Sequence, residues 1–449
     1  MKGVLANRNF RRLFGSQVMS LLGTGLMTVA LALLAYDIGG TAQAGMVLAG
    51  AFTVKMIAYV GFAPVANLLV EKVPVRPLLV GLDAMRLVLA LLLPLTGAVW
   101  QIYLLMLLFQ MCSAAFTPAY QSTIPDILDD EAQYTAALSL SRVAYNLETM
   151  LSPALAGILL LVVAPPSLFL GTALAFAVSA GLLFSANLPA RPVASGHDPF
   201  LRRLGKGYNI YLRTIRLRGL LAINFAMSLT LAWVLVNTVA YVGLRFEGDA
   251  SAYTNLMAAY GAGSIASAFA VPRLLRHMSE RRLMISGTFA MGCLPFTILA
   301  EPGFVALMGL WATLGAATSL VLTPGALLLV RSSSKANRPA LFAAQFSLSH
   351  AAWLVAYPLS GWLGTALGLE TAFMVLASMT LAIAAITAHF WPAHDSIERE
   401  HTHIGLAPTH PHLEAWGYKT IEGRSGMAHS HPFHIDELHR RWPTEAGHV

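Results

Sequence analysis

The chain has 449 residues, of which 56% are hydrophobic and only 11% are charged. Soluble globular domains contain about 25% charged residues, so this composition excludes a soluble globular fold and predicts an integral membrane protein. The formal net charge of +7 does not indicate a nucleic-acid partner, because the basic residues are concentrated in loops on one side, as is typical of membrane proteins. The two cysteines, Cys112 and Cys293, lie in separate apolar segments, which excludes a disulfide framework.

Apolar segments follow one another along the chain, each close to the length of about 20 residues that crosses a bilayer. They lie near residues 14–36, 43–66, 78–97, 99–118, 135–162, 166–188, 219–243, 252–275, 283–300, 303–330, 339–367 and 370–391. The first segment is predicted to be an uncleaved crossing, because it is longer than the core of a signal peptide and lacks a small-residue cleavage site. The sequence therefore predicts twelve transmembrane helices.

The basic residues of the loops predict the orientation. Lys and Arg are abundant before the first segment and in loops on the same side, whereas the opposite loops contribute only Arg245. Both termini are therefore predicted to be cytoplasmic. One loop on the cytoplasmic side, 116–134, departs from this pattern because it has no basic residue. It contains four acidic residues instead: Asp126, Asp129, Asp130 and Glu131.

The two sets of six crossings are related by an internal repeat. The segment 133–162 carries Pro153, and the segment 340–363 carries Pro358 at the equivalent position 205 residues later. Two parallel six-helix halves with a cavity between them are typical of secondary transporters. The predicted divisions are an N-terminal half (1–188), a cytoplasmic basic linker (189–218), a C-terminal half (219–391) and a disordered, His-rich cytoplasmic tail (392–449).

Four ionisable residues fall inside predicted crossings and are candidates for the transport path. Lys55 lies in the second crossing, Arg142 and Glu148 in the fifth, and His350 in the eleventh. A charge at the middle of a crossing costs at least about 2.5–3.5 kcal/mol, so such residues are functional candidates. Glu148 could carry the coupling proton and His350 could relay it. The alternatives are a fixed ion pair of Glu148 with Lys55 or Arg142, and a packing role for His350.

Residues 64–86 resemble the signature loop between the second and third helices of the major facilitator superfamily. The pair Glu71-Lys72 stands at the Asp-Arg position of that loop, and other polar positions follow. The charged residues at these positions are Glu71, Lys72, Arg76, Asp83 and Arg86. The resemblance implies a fold of two pseudo-symmetric six-helix halves and a gate loop whose charges pair in one state. The alternative is simple membrane anchoring by Lys72 and Arg76.

The fifth crossing resembles the proline-glycine motif of exporters in this superfamily. Ser152 and Pro153 stand for its Gly-Pro pair, and Ala156 and Gly157 stand for its Gly-Gly pair. Glu148 occupies a position that usually holds glycine, which is a departure from the motif. The resemblance implies export rather than uptake.

The beginning of the chain and residues 115–128 resemble drug:proton antiporters, a branch that includes macrolide and enterobactin exporters. Residues 53–64 and 131–148 are similar to the nickel-resistance type of this branch, whose members carry a His-rich cytoplasmic tail. The resemblance implies a bacterial inner-membrane protein with protons as the coupling ion. The expected protein is a monomer, with the lipid bilayer and a small molecule or metal ion as its partners.

The tail contains ten of the fourteen histidines, several of them in short clusters. Neutral imidazoles bind nickel, copper and zinc, and close spacing lets one segment supply several ligands. The candidate metal ligands are His401, His403, His410, His412, His429, His431 and His434. The alternatives are a solvated tail without a metal function, and a partner-binding tail around Trp416 and Trp442.

The expected function is proton-coupled efflux of a nickel-like divalent metal or its complex. No ATPase or hydrolase motif occurs in the sequence, so the chain is predicted not to be an enzyme and to need no cofactor beyond transient metal at the tail. A multidrug, macrolide or siderophore exporter is the first alternative. A membrane-anchored metal sensor or scaffold is the second, although an anchor has no reason to bear the cost of charges inside its crossings.

Overall fold

The computed structural model describes most of the chain. The described residues are 2–128, 130–160, 164, 166–189, 200–246, 250–393, 398–404, 406–407, 409–420, 426–435, 438–439 and 442. Within these ranges, some side chains lie outside the described part, chiefly those of 35–50, 67–72 and 146–158.

The N-terminal half is helical throughout its described length. Its helices are α1 (Lys2–Ala6), α2 (Arg8–Lys72), α3 (Val75–Leu92), α4 (Val99–Ile127), α5 (Glu131–Leu160) and α6 (Ser167–Ser185). A 3-10 turn, Leu93–Leu95, extends α3, and α2 contains both the first and the second predicted crossing.

The C-terminal half repeats this arrangement after a linker helix. The helices are α7 (Phe200–Arg213) in the linker, followed by α8 (Ile215–Arg245), α9 (Ala250–Leu274), α10 (Glu280–Cys293), α11 (Phe304–Arg331), α12 (Arg338–Leu367) and α13 (Leu369–Phe390). A 3-10 turn, Leu294–Ala300, extends α10. Each of the twelve predicted crossings therefore lies mainly in a helix, and the helical membrane fold is confirmed.

Eight stretches of the described residues are long and apolar enough to cross a membrane. The eighth and eleventh predicted crossings, in α9 and α12, are not among the eight, and the second and fifth, in α2 and α5, include residues whose side chains lie outside the described part. These same helices join the halves, because α12 packs against α2 and α5 packs against α9. A helix that faces the other half can carry more polar residues than one that faces lipid.

The helices α9 and α11 approach each other most closely at two glycines. A Cβ atom at Gly315 would lie 1.9 Å from the carbonyl oxygen of Tyr260, and one at Gly263 would lie 1.8 Å from that of Ala312. Small residues permit such contacts between membrane helices. The packing of α9 on α11 therefore requires glycine at both positions.

We expect Gly315→Ala to destabilise the protein, because the added methyl group must push α9 and α11 apart. Overpacking of this kind costs about 1–3 kcal/mol. The measurement is the thermal unfolding midpoint of the purified protein in detergent. Gly309→Ala is the matched control, since a Cβ atom at Gly309, on the same helix, would meet no atom within 4 Å. Equal midpoints for the two variants would contradict the expectation.

The linker helix α7 packs against α12. The hydroxyl of Tyr208 donates to Ser347 Oγ at 2.8 Å, and that of Tyr211 donates to Gln345. The hydroxyl of Ser347 in turn donates to the carbonyl of Val60 on α2, at 2.6 Å. The basic linker is thus connected through α12 to the N-terminal half.

The prediction of a disordered tail is wrong for the residues that the structure describes. They form an antiparallel sheet of β1 (Glu398–Ile404), β2 (Lys419–Thr420) and β3 (Gly426–Pro432) in the order β1-β3-β2, with a short helix α14 (Pro411–Trp416). Disorder was inferred from the overall polar composition. That composition hides the alternation of the strands, which places every second residue on the same face.

The tail is attached to the end of α13 and to the beginning of α8. Phe433 and Ile435 are buried in the core of the C-terminal half together with Trp391. Arg281 on α10 donates hydrogen bonds to the carbonyl oxygens of Trp391 and Ala388. The sheet therefore follows α13 as a packed part of the C-terminal half.

Candidate functional site

Two of the predicted path residues meet at one tyrosine between the halves. The Nζ atom of Lys55 lies 5.5 Å from the centroid of the Tyr59 ring on α2. The His350 ring on α12 contacts the same ring edge-on, with centroids 4.7 Å apart. His350 Nδ1 lies 2.7 Å from the carbonyl oxygen of Phe346. The structure thus brings Lys55 and His350 to one aromatic ring from opposite halves.

Arg142 on α5 lies at the second junction between the halves. Its charge interacts with the hydroxyl groups of Tyr145 on its own helix and of Tyr260 on α9. The hydroxyl of Tyr260 is 2.9 Å from that of Thr318 on α11. Arg142 therefore faces α9 of the C-terminal half.

The rest of the fifth crossing lies in α5, but several predicted side chains there lie outside the described residues. They are those of Glu148, Ser152, Pro153, Ala156 and Gly157. The predicted pairs of Glu148 with Lys55 or Arg142 and the exporter motif therefore stay predictions.

The structure places the described gate-loop residues inside the N-terminal half. Asp83 and Arg86 form a buried ion pair on α3. Asp83 also accepts from Ser179 at 2.6 Å, and Arg86 donates to Ser20 at 3.1 Å. These contacts join α2, α3 and α6, so the two residues stabilise one half instead of pairing with the other.

Two other residues of the gate loop lie outside the described side chains, namely Glu71 and Lys72. Arg76 donates to the carbonyl oxygen of Phe184, and its guanidinium lies 4.9 Å from the centroid of the Phe184 ring. Arg76 therefore contacts the end of α6, again within the N-terminal half.

Ion pairs between the halves come instead from the acidic loop that departed from the positive-inside pattern. Asp126, at the end of α4, pairs with Arg338 at the beginning of α12, at 2.6 Å. Both side chains are about nine-tenths buried. Arg331, at the end of α11, pairs with Glu131 of α5 and with Glu280 of α10. We call the Asp126–Arg338 and Glu131–Arg331 contacts the inter-half ion pairs, since Arg331 and Glu280 both belong to the C-terminal half.

Apolar residues close the same end of the bundle around the inter-half ion pairs. Leu128 and Tyr134 of the N-terminal half lie in one buried cluster with Leu327, against which Val330 packs. The described part of the bundle is thus closed at its predicted cytoplasmic end. The sequence contained a signal for this closure, because equivalent loops of the two halves carry opposite charges.

A second candidate site lies in the tail. Five of its histidines each direct one ring nitrogen to a common point, with these nitrogens within 4.8 Å of one another. They are His401, His403, His412, His429 and His439. The Nε2 atom of His401 lies 3.2, 3.1 and 3.0 Å from those of His403, His429 and His439. Two ligands at right angles on a metal with bonds of about 2.1 Å are about 3.0 Å apart, so these nitrogens have the spacing of a metal site.

The sheet explains how the histidines meet. His401 and His403 alternate along β1 and therefore lie on one face, and His401 stands directly opposite His429 on β3. The helix α14 supplies His412, and the chain beyond β3 returns with His439.

Sequence reasoning named some of these ligands and missed others. His410, His431 and His434 were predicted as ligands, but they are not in the five-histidine group of the described tail. His410 instead precedes α14, where its Nδ1 accepts from the backbone N–H of His412 at 3.2 Å. His439 was missed because it belongs to no short-spaced cluster, and only the folded tail brings it to the others.

The environment of the cluster favours the neutral form of three imidazoles, those of His401, His412 and His429. Burial lowers the pKa of His401 to about 3, although its hydrogen bond to the Arg399 carbonyl acts in the opposite direction. Burial and repulsion from neighbouring imidazoles lower the pKa of His412 and of His429 to about 4. Neutral imidazole is the form that binds metals.

We expect the metal-free tail to lose stability as the pH falls from about 6.5 toward 4. In the unfolded tail these histidines bind protons below about 6.5, whereas in the folded tail they do not until the pH is near their lowered pKa values. The stabilisation is therefore complete above 6.5 and declines below it. NMR of the metal-free protein with carbon-labelled histidine would report both the titration and the loss of structure. Imidazole signals that titrate near 6.5 while the sheet stays intact would contradict this expectation.

Taken together, two similar helical halves, charged residues at their junctions and a closed end are features of a secondary transporter. The sequence model described as Major Facilitator Superfamily matches residues 13–245 and 221–421, which is most of the chain. The chain belongs to this superfamily. Its members are transporters, so the predictions of a multi-pass membrane protein, of a transport function and of a non-enzyme are confirmed.

A solved structure supports the same fold. The crystal structure of the human organic anion transporter MFSD10 (TETRAN) is similar, with a TM-score of 0.72 and 13% sequence identity. The similarity covers 85% of this chain and 99% of that chain. No curated protein matches the chain.

Proposed function

We propose that this transporter exports a nickel-like divalent metal ion, or a complex of it, in exchange for protons. The observation that carries the proposal is the convergence of five histidine nitrogens in the tail. Imidazole is a ligand of nickel, copper and zinc, and a tail on the cytoplasmic side would meet the ion before export. The positive-inside pattern and the resemblance to bacterial exporters support a bacterial inner membrane with both termini in the cytoplasm.

His350 and Lys55 support proton coupling. Imidazole can gain and lose a proton, and His350 shares the Tyr59 ring with the Lys55 amine across the junction of α2 and α12. A proton on His350 would place two positive charges there and favour separation of these helices. Glu148 on α5 is proposed to be the carboxylate that binds the coupling proton.

The test is flux in proteoliposomes that contain a metal indicator and a pH indicator. Metal movement in one direction and proton movement in the other are expected, and an ionophore that collapses the proton gradient should stop metal transport. Metal flux that persists without the gradient would exclude coupled antiport. Macrolide or siderophore flux without metal flux would support the other exporter class, and the absence of any flux would support a sensor or scaffold.

A specific observation favours a second candidate, export of an organic anion or an anionic metal complex. Lys55 and Arg142 place cationic groups at both junctions of the halves, and such groups repel a bare divalent ion. The similar solved structure is described as that of an organic anion transporter. Competition in the same proteoliposomes between free Ni²⁺ and Ni²⁺ bound to citrate distinguishes the two substrates.

A further inference from the structure

We infer that the tail forms a single octahedral site with six histidine ligands, the sixth being His431, which holds a resident divalent metal ion. The inference deepens the proposed function by assigning the coordination of the tail site. It rests on the proposed function only for the physiological identity of the ion.

The imidazole rings define an axis through His401 and His412, whose centroids are 6.4 Å apart. The remaining rings lie between 4.6 and 4.9 Å from His401; they are His403, His429, His431 and His439. The same rings lie between 4.6 and 5.0 Å from His412. His401 and His412 are therefore the two opposite vertices of one polyhedron, and the others lie between them.

The four remaining rings form a square around this axis. His403 lies 5.1 Å from His429, and His429 lies 5.0 Å from His431. His439 closes the square, at 5.0 Å from both His431 and His403. Two axial rings and a square of nearly equal sides are the six vertices of an octahedron. A cluster packed for burial alone has no reason to adopt this regularity.

Hydrogen bonds orient two of the rings for coordination through Nε2. His431 Nδ1 lies 2.8 Å from the carbonyl oxygen of Pro432, and His401 Nδ1 lies 3.0 Å from that of Arg399. A carbonyl only accepts, so each Nδ1 carries the proton and each Nε2 keeps its lone pair. A hydrogen bond from the other ring nitrogen to a carbonyl oxygen is what fixes the tautomer of metal-binding histidines.

The sheet builds the site from a simple repeat. His429 and His431 alternate along β3 as His401 and His403 do along β1, and the two strands are paired. Four ligands therefore project from one face of two neighbouring strands. His431 is buried, although it lies outside the group of five defined by the closest nitrogens.

Six nitrogen ligands determine which ions fit. Zn²⁺ in structural sites is almost always bound by four ligands in a tetrahedron, so this site disfavours it. Among divalent ions that accept six ligands, affinity rises from Mn²⁺ through Fe²⁺ and Co²⁺ to Ni²⁺. Because the protein supplies every ligand, the ion can leave the site only when a histidine ligand dissociates.

The histidine site is connected to the C-terminal half through aromatic contacts. The Phe433 ring lies 5.1 Å from the His401 ring and 5.4 Å from the Trp442 ring. The Trp442 ring faces the guanidinium of Arg216, at the beginning of α8, at 4.7 Å. Metal binding therefore stabilises the packing of the tail on α8.

The experiment uses the full-length protein in detergent, stripped with a chelator and then titrated with Ni²⁺. One ion per chain is expected, and X-ray absorption should show a first shell of six nitrogen scatterers. Co²⁺ should give the weak, pink absorption of an octahedral ion. Two or more ions per chain, or the intense blue of tetrahedral Co²⁺, would overturn the inference.

Variants test the sixth ligand. His431→Ala should weaken Ni²⁺ binding by at least about tenfold, the lower limit seen even for groups that only support a ligand. His434→Ala is the matched control and should bind as the wild type does. Equal affinities of the two variants would exclude His431 as a ligand. If His431→Ala does not fold, the X-ray absorption of the wild-type protein still tests the number of nitrogen ligands, because that measurement needs no variant.

These measurements involve no transport, so they separate this inference from the proposed function. Octahedral Ni²⁺ binding without metal flux in proteoliposomes would retain the site and reject metal export. Metal flux together with tetrahedral binding, or with no binding at the tail, would retain metal export and reject the octahedral site.

Discussion

Reversing the charge of Arg338 is expected to open the predicted cytoplasmic end of the bundle. Arg338→Glu places two carboxylates together in a position where both partners are about nine-tenths buried. Breaking a buried ion pair costs about 3–5 kcal/mol, which corresponds to a shift of more than about a hundredfold between closed and open states. The shift is measured by the distance between spin labels placed on the two halves at this end.

Two further variants make this prediction specific. Asp126→Arg combined with Arg338→Glu restores an ion pair of opposite polarity and should recover much of the closed population. Lys335→Glu changes a charge in the same loop, but its side chain is exposed, so it should leave the distances unchanged. An unchanged distance distribution for Arg338→Glu would show that the inter-half ion pairs do not hold the closed state.

Removing the charge of Lys55 is expected to lower the rate of coupled transport by about tenfold. The Nζ atom of Lys55 and the His350 ring lie on the same tyrosine, which places them within about 10 Å of each other. Two positive charges at that distance repel by about 1.7 kcal/mol at an effective dielectric constant of about 20. This energy exceeds the 1.4 kcal/mol that corresponds to a tenfold change in an equilibrium, so protonation of His350 can drive the halves apart.

The measurement is the initial rate of substrate flux as a function of pH in proteoliposomes. Lys55→Met should reduce the rate and flatten its pH dependence, whereas Lys55→Arg keeps the charge and should retain both. His350→Gln should flatten the pH dependence in the same way. Wild-type rate and pH profile in Lys55→Met would assign Lys55 a packing role.

The crossings could be predicted from the sequence because the bilayer imposes one requirement on every segment. Each must be apolar over about 20 residues, and this can be read locally. The role of α7 could not be read in this way. Its basic residues predicted a linker, but its attachment depends on Tyr208 and Tyr211 meeting α12 more than 130 residues later.

The closed end shows a different limit. Asp83 and Arg86 were predicted as gate residues from a motif, yet they pair with each other within one half. An ion pair between the halves is formed by Asp126 and Arg338, although these residues are separated by 212 positions in the sequence. A motif identifies a loop, but only the packing of the two halves determines which charges face each other.

The tail shows a third limit: its composition correctly predicted a cluster of histidines but wrongly predicted that the tail is disordered. Its histidines predicted metal ligands, and most of those named do converge. Composition cannot separate His439, which joins the cluster, from His434, which does not, because the distinction arises from the path of the folded chain beyond β3. The polar character that suggested disorder is offset by the burial of Phe433 and Ile435 against the C-terminal half.

The attachment of the tail to α8 and α13 has a consequence for observing the transport cycle. Because Trp442 packs on Arg216 and Arg281 binds the end of α13, the sheet should travel with the C-terminal half as one body. A paramagnetic ion held in the tail would then serve as an intrinsic probe for distance measurements. Its distance to a single label on the N-terminal half would report the rocking of one half against the other, with no alteration to the residues that line the path.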